Sequence, residues 1–258
     1  MPDESLDILL DFAHDLAWQA GKVTLSYFGT GVVPELKSDQ TPVTVADRQS
    51  EERMRALIEA RFPDHGILGE EFGETRPGAR YRWILDPIDG TKSFVQGVPL
   101  YGVLVGLERD GEPVLGVCNL PALGEIVAAA RGLGCTLNGR RVAVSSVQTL
   151  SEAVMLATDR VSFADHGRDD VYYELEAATR FTRIWGDCYG HILVATGRAE
   201  MMLDPVMNVW DCAALLPILQ EAGGTFTDWQ GVATIHGGNA ISTNGHLFED
   251  VMRLARSE

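Results

Sequence analysis

The chain has 258 residues, 45% of them hydrophobic, enough to bury a substantial core as one large domain or two smaller subdomains. A formal net charge of −16 and a pI near 4.7 exclude the basic patches on which binding to nucleic acid or to an anionic membrane depends, so neither is expected as a partner. A protein this acidic that handles an anionic substrate needs metal ions to invert the local field.

Apolar residues at 6, 9, 10, 13, 16, 17, 20, 23 and 27 form the stripe of an amphipathic helix that Gly29 and Gly31 stop. A second helix is predicted over 47–61, with Met54, Leu57 and Ile58 inward and Pro63 closing it. Short apolar runs at 66–69, 81–85, 101–107, 114–119 and 125–130 are separated by Gly, Pro and Asp-Gly, and they predict strands. Asp110-Gly111 and Asn138-Gly139 predict hairpin turns. From Ser151 onward, strand-like pieces at 153–157, 181–185 and 199–203 alternate with helical ones at 169–180, 187–197 and 209–222. A hairpin around 228–231 and a helix capped by Asn244 finish the chain. This change of texture predicts an N-terminal α+β subdomain, 1–147, carrying most candidate metal ligands, and a C-terminal α/β subdomain, 148–258.

The longest nearly apolar run, 97–107, is too short to span a bilayer, and the chain starts acidic, so a cytoplasmic protein is expected. Cysteines at 118, 135, 188 and 212 lack CxxC spacing and read as reduced structural thiols. No two of the histidines share the spacing of a metal pair, and His191 reads as a satisfied structural residue.

The richest chemistry lies in Asp86-Pro87-Ile88-Asp89-Gly90-Thr91. Pro87 restricts Asp86 to extended backbone, so the strand before it should end with Asp86 at its tip and Asp89 aimed at the same place. Gly90 lets backbone approach an anion, and a helix opening at Thr91 would turn its free N–H groups toward that anion. Three more acidic clusters sit at predicted element ends: Asp47, Glu70-Glu71 and Asp211. Taken singly, Asp47 and Asp211 read as helix N-caps and Glu70-Glu71 as a solvated loop. Taken together they read as oxygen ligands for Mg²⁺, which keeps several waters and needs only a few carboxylates plus substrate phosphate. Two such ions can clamp the attacking and leaving oxygens of a phosphoester displacement.

Gly69-Glu70-Glu71, Trp83 through Thr91, and Trp210-Asp211 through Ala222-Gly223-Gly224 resemble the two signature regions of the inositol monophosphatase-like phosphatases. The resemblance implies a layered α-β-α-β-α sandwich of the inositol monophosphatase/fructose bisphosphatase type. It also implies a homodimer, frequent inhibition by Li⁺, and two to three Mg²⁺ per site, with Mn²⁺ as a substitute. By motif position, Glu70, Asp86 and the Ile88 carbonyl would hold the first metal, and Asp86, Asp89 and Asp211 the second. Thr91, hydrogen-bonded to Asp47, would orient and deprotonate the attacking water, with Glu71 in the same water network. The N–H groups of Gly90 and Thr91 would hold phosphate, and Asp211 would guide a proton to the leaving oxygen.

The substrate reading comes from departures within that family. Inositol-directed members follow the metal motif with Thr-Asn-Phe, whereas this chain has Lys92-Ser93-Phe94 and continues Val95-Gln96-Gly97-Val98-Pro99-Leu100-Tyr101-Gly102. That continuation, and Trp185-Gly186-Asp187-Cys188-Tyr189, resemble the histidinol-phosphate phosphatase branch. Asp204 falls where inositol-directed members often carry a ring-binding Glu. Histidinol phosphate carries an ammonium group, and carboxylates at Asp187 and Asp204 would give it charge-assisted hydrogen bonds worth ~1.5 to 3 kcal/mol. The bland reading of Asp187 is a helix N-cap and that of Lys92 a solvated helix residue. Trp185 and Tyr189 could stack on an imidazole, with core packing favoured for Trp185. The alternatives are inositol 1-phosphate, adenosine 3′,5′-bisphosphate, or a non-catalytic partner of transcription or ribosome machinery. Every ligand position is filled, which favours the enzyme.

Overall fold

The computed structural model describes residues 4–37 and 41–256, so the acidic start at 1–3 lies outside the described residues. The predicted amphipathic stripe forms the helix Leu6–Tyr27, and the second helix spans Val45–Arg61. Both lie on one face of an eight-stranded sheet, where Leu9, Leu16, Met54 and Ile58 pack with Trp83, Leu85, Val103 and Val117. In spatial order its strands are Arg140–Arg141, Gly134–Leu137, Glu125–Ala130, Glu112–Leu120, Gly102–Arg109, Tyr81–Asp89, Gly66–Gly69 and Gly73–Thr75. Neighbours are antiparallel except Gly66–Gly69 with Tyr81–Asp89.

The intervening residues of these strands, Ile84, Leu104, Cys118 and Val127, face the other way into a second core. Burial on both faces explains why the strands read as continuous apolar runs. In that core lie the helices Asp187–Ala195, Val209–Ala213 and Leu215–Glu221. A five-stranded sheet follows, ordered Phe181–Arg183, Val154–Ala157, Met201–Asp204, Ala240–Thr243 and Thr225–Thr227. Its far face, with Met155, Met201 and Ile241, is covered by the helices Asp169–Ala178 and Phe248–Ala255. The layers run α-β-α-β-α, as expected. Residues 142–153 join the two sheets. Among the described residues no helix is long and apolar enough to cross a membrane, and the four cysteines are buried and free.

Several expectations are corrected. The strand predicted to end near Asp86 continues to Asp89, with a bulge between Asp86 and Asp89. Asp86 Oδ1 accepts the Ile88 N–H at 3.0 Å inside that bulge. The single helix predicted over 209–222 divides at Ala214, because Pro217 has no N–H to offer the Ala213 carbonyl. Gly106 and Gly116 seat these helices directly on the sheet: a Cβ at 116 would lie 2.0 Å from the Ala214 carbonyl oxygen. Asn244 accepts the Leu247 N–H at 3.2 Å, ahead of a helix that starts only at Phe248. The hairpin expected around 228–231 is present, its turn lying within a longer connection that joins the antiparallel strands Thr225–Thr227 and Ala240–Thr243. Trp185 is 40% exposed rather than a core residue. The Gly73–Thr75 strand, the Glu35–Leu36 and Pro42–Val43 pair and the Val161–Asp165 helix carry no periodic signal long enough to predict them.

Candidate active site

The bulge in Tyr81–Asp89 turns two carboxylates to one side, and the helix seated on Gly106 and Gly116 delivers a third. One oxygen each from Asp86, Asp89 and Asp211 lies within 4.8 Å of the others. Asp89 is anchored through Oδ2 by the Cys188 N–H. Asp211 is not itself the N-cap: Asn208 is, and Asp211 closes a capping box from the third helical position, its Oδ2 accepting the Asn208 N–H at 2.6 Å.

Asp47 repeats that arrangement. Thr44 is the N-cap, and its N–H and O–H donate to Asp47 Oδ2 at 2.8 and 2.6 Å. The remaining Oδ1 lies 3.5 Å from Thr91 Oγ1. The Thr91 hydroxyl also lies 3.0 Å from the Ile88 carbonyl, the nearer acceptor, and the predicted Thr91–Asp47 bond is the longer of the two. Gly90 has φ +87° and opens the short helix Thr91–Val95, as the motif requires.

Glu70 and Glu71 face a residue the sequence reading missed. The Lys37 ammonium lies 2.8 Å from Glu70 Oε1 and 2.6 Å from Glu71 Oε1. A lone lysine beside a two-residue strand has no spacing that could mark it.

Burial dominates the electrostatics. It pushes Asp86 and Asp89 well above the ordinary carboxylate range, and the nearby acids push in the same direction. The neighbouring Asp86 and Asp211 carboxylates act on one another, which lowers Asp211 while raising Asp86. Burial takes Glu70 to about 7, against the pull of Lys37, and Asp211 and Asp47 to about 6. The group that meets among the described residues is three crowded, desolvated carboxylates, an oxygen donor set that suits a hard divalent cation such as Mg²⁺ or Mn²⁺.

Glu70, Asp86, Asp89, Gly90, Thr91 and Asp211 line a cleft of about 660 Å³ together with Lys92, Ser93, Thr158, Asp159, Asp187 and Trp210, whereas Asp47 and Glu71 stand behind its wall. Asp187 and Lys92 therefore both face it. Asp187 is the first residue of its helix, held at φ +55° with its N–H on Thr158 Oγ1 at 2.9 Å. Burial first, then the charges of Asp204 and Asp211, raise it to about 7. A recess of about 80 Å³ adjoins the cleft, sharing Asp89, Asp187 and Asp211 with it and adding Asp204 and Met207. His191 Nε2 lies 3.1 Å from Asp204 Oδ2 and its Nδ1 2.7 Å from Ser242 Oγ, a satisfied structural histidine as expected. Among the described residues that line the cleft the aromatic ring is Trp210, and neither Trp185 nor Tyr189 is present.

The sequence model of the Inositol monophosphatase family matches residues 5–257. A histidinol-phosphatase of Chlorobaculum parvum is 48% identical over 240 residues, covering 92% of this chain and 93% of its own. A histidinol-phosphatase of Mycobacterium tuberculosis is 39% identical, covering 95% and 96%. Among solved structures, an inositol monophosphatase from Zymomonas mobilis superposes with a TM-score of 0.88 at 33% identity, covering 99% of this chain and 100% of that one.

Proposed function

The chain belongs to the inositol monophosphatase family and is a phosphoric monoester hydrolase, and from that premise we propose that it releases phosphate from L-histidinol phosphate, a step of histidine biosynthesis, as a Mg²⁺-dependent homodimer. The observation that carries the substrate is Asp187. Its Oδ2 would lie 3.0 Å from a Cβ placed on Gly90, so this carboxylate stands beside the backbone proposed to hold phosphate. An acid there repels the substrate's anionic end unless a cation lies alongside, and histidinol phosphate carries its ammonium on the carbon next to the ester carbon. Asp204 and the adjoining recess extend the same preference. A neutral polyol gains less from either acid.

In this reading Glu70, Asp86, the Ile88 carbonyl, Asp89 and Asp211 would hold two to three Mg²⁺. The metal, when bound, supplies positive charge that neutralises the phosphate and lowers the pKa of water. Thr91 turns its hydroxyl from the Ile88 carbonyl toward Asp47, which lies 3.5 Å away and takes the proton released as water is oriented for attack. Glu71 supports that water through the polar network it shares with Lys37. The N–H groups of Gly90 and Thr91 hold the phosphate oxygens where negative charge grows. Asp211 guides a proton from solvent to the leaving alkoxide. The whole cluster is positioned before substrate arrives, because backbone N–H groups anchor Asp47, Asp89 and Asp211.

Phosphate release from histidinol phosphate, inositol 1-phosphate and adenosine 3′,5′-bisphosphate, each with and without Mg²⁺, tests the reading. Histidinol phosphate should give the highest kcat/KM and depend on the metal. An equal or higher value for inositol 1-phosphate would overturn the substrate, and turnover unaffected by chelation would overturn the metal.

A further inference from the structure

Glu51 is fully buried, and its carboxylate contributes to neither the cleft nor the acidic cluster. It lies under the Glu70-Glu71 turn. Oε2 accepts the Glu71 N–H at 2.8 Å, and Oε1 lies 3.3 Å from the Phe72 N–H. Arg55, one helical turn on, donates Nε to Oε1 at 2.7 Å and reaches the Gly73 carbonyl with Nη2. The space is closed from the strand side as well, since a Cβ on Gly69 would lie 2.0 Å from Glu51 Oε1. A buried carboxylate is costly without partners, and this one has two consecutive backbone N–H groups and a guanidinium.

The turn depends on that anchor. The parallel ladder ends at Gly69 paired with Leu85, and the Glu70 N–H makes one further bond to the Leu85 carbonyl at 3.2 Å. Residues 71 and 72 are then held by Glu51. On the Val45–Arg61 helix, positions 47, 51, 54 and 58 share one face. Met54 and Ile58 fix that face in the core, Asp47 meets Thr91, and Glu51 meets the Glu70-Glu71 turn. One rigid helix thereby sets the distance between the two halves of the site.

The geometry points to Glu51 as a positioning residue for the metal site: it fixes the turn that aims Glu70, without touching metal or substrate. This rests on the reading that Glu70 is a Mg²⁺ ligand. Glu51→Gln keeps the size but sets an amide against one of the two N–H groups, and Gly69→Ala displaces the Glu51 carboxylate without removing any acidic residue from the chain. Arg55→Gln removes the guanidinium and leaves Glu51 on the turn.

Calorimetric Mg²⁺ binding to the protein without substrate, beside the Mg²⁺ dependence of turnover, reads the effect. Glu51→Gln and Gly69→Ala should each weaken Mg²⁺ binding by about tenfold or more, the scale seen when groups that orient metal ligands are removed. Lost turnover should return at high Mg²⁺, substrate KM should stay within about twofold, and Arg55→Gln should be milder. If Glu51→Gln does not fold, Glu51→Asp keeps the charge and shortens the reach, and the same Mg²⁺ defect is expected. Unchanged Mg²⁺ affinity in folded Glu51 variants would overturn the inference, even if their Tm falls. Absence of Mg²⁺ binding in the wild-type protein would instead overturn the metal reading on which it rests.

Discussion

Asp47 and Asp211 hold the same position in two separate helices, each the third helical residue, closing a capping box whose N-cap N–H donates to its Oδ2. The capping bond fixes the rotamer of each carboxylate and leaves its other oxygen for the site, so local helix chemistry pre-orients two catalytic candidates. Asp47→Asn and Asp211→Asn should therefore separate stability from activity. The amide keeps one oxygen for the N-cap N–H, so each change should cost no more than about 1 kcal/mol, or roughly 2–4 °C in Tm for a chain of this size. Turnover should fall at least ~100-fold, the scale of a lost general acid or base. Phosphate release and thermal melts on the same preparations check this.

The raised carboxylates set the pH dependence of the metal-free protein. A folded-state pKa above the unfolded value means that the native state binds more protons, so stability falls as pH rises through the window between the two. With Glu70 and Asp187 at about 7 and unfolded values near ~4, the slope is present between about pH 4 and 7. His65 opposes it, because burial lowers its pKa and stability is lost as pH falls below about 6.5. Several acids outweigh one histidine. Melts in EDTA should give a higher Tm at pH 6 than at pH 8, and Mg²⁺ should abolish or reverse the difference.

Mg²⁺ binding should expel those same protons. Ligand carboxylates must be ionised to coordinate, and Glu70 and Asp211 are partly protonated near pH 6.5. Titration calorimetry at pH 6.5 in two buffers of different ionisation enthalpy should show net proton release. Identical heats in both buffers would contradict the assignment of these acids as ligands.

Gly90→Ala should damage phosphate binding more than folding. The left-handed φ of +87° costs an alanine ~1 kcal/mol, and the added methyl would press on Asp187 at 3.0 Å. Inhibition by inorganic phosphate should weaken alongside the fall in kcat/KM, while Tm moves by a few degrees.

How much of this was legible in the sequence follows from what each feature depends on. The helix Leu6–Tyr27 and the strands Gly66–Gly69 and Glu125–Ala130 match their predicted ranges, because a single periodicity or apolar run defines each. Asp86, Asp89 and Asp211 converge as the motif suggested. The bulge that carries the strand past Asp86 depends on the neighbouring Gly102–Arg109 strand, and no local signal encodes it. Lys37 and Glu51 escaped because each gains meaning only by touching Glu70 or its turn, from 33 positions away for Lys37 and 20 between Glu51 and Glu71. Trp185 was misread because a large aromatic favours the core on average, whereas here it precedes the cleft helix at the surface.

The claim that this phosphatase reads a cationic substrate rests on Asp187, and Asp187→Asn tests it most directly. The measurement is the ratio of kcat/KM for histidinol phosphate to that for a neutral aryl phosphate, in wild type and variant. Loss of a charge-assisted bond worth ~1.5 to 3 kcal/mol should lower that ratio by about 10- to 100-fold. Equal losses on both substrates, leaving the ratio unchanged, would contradict it.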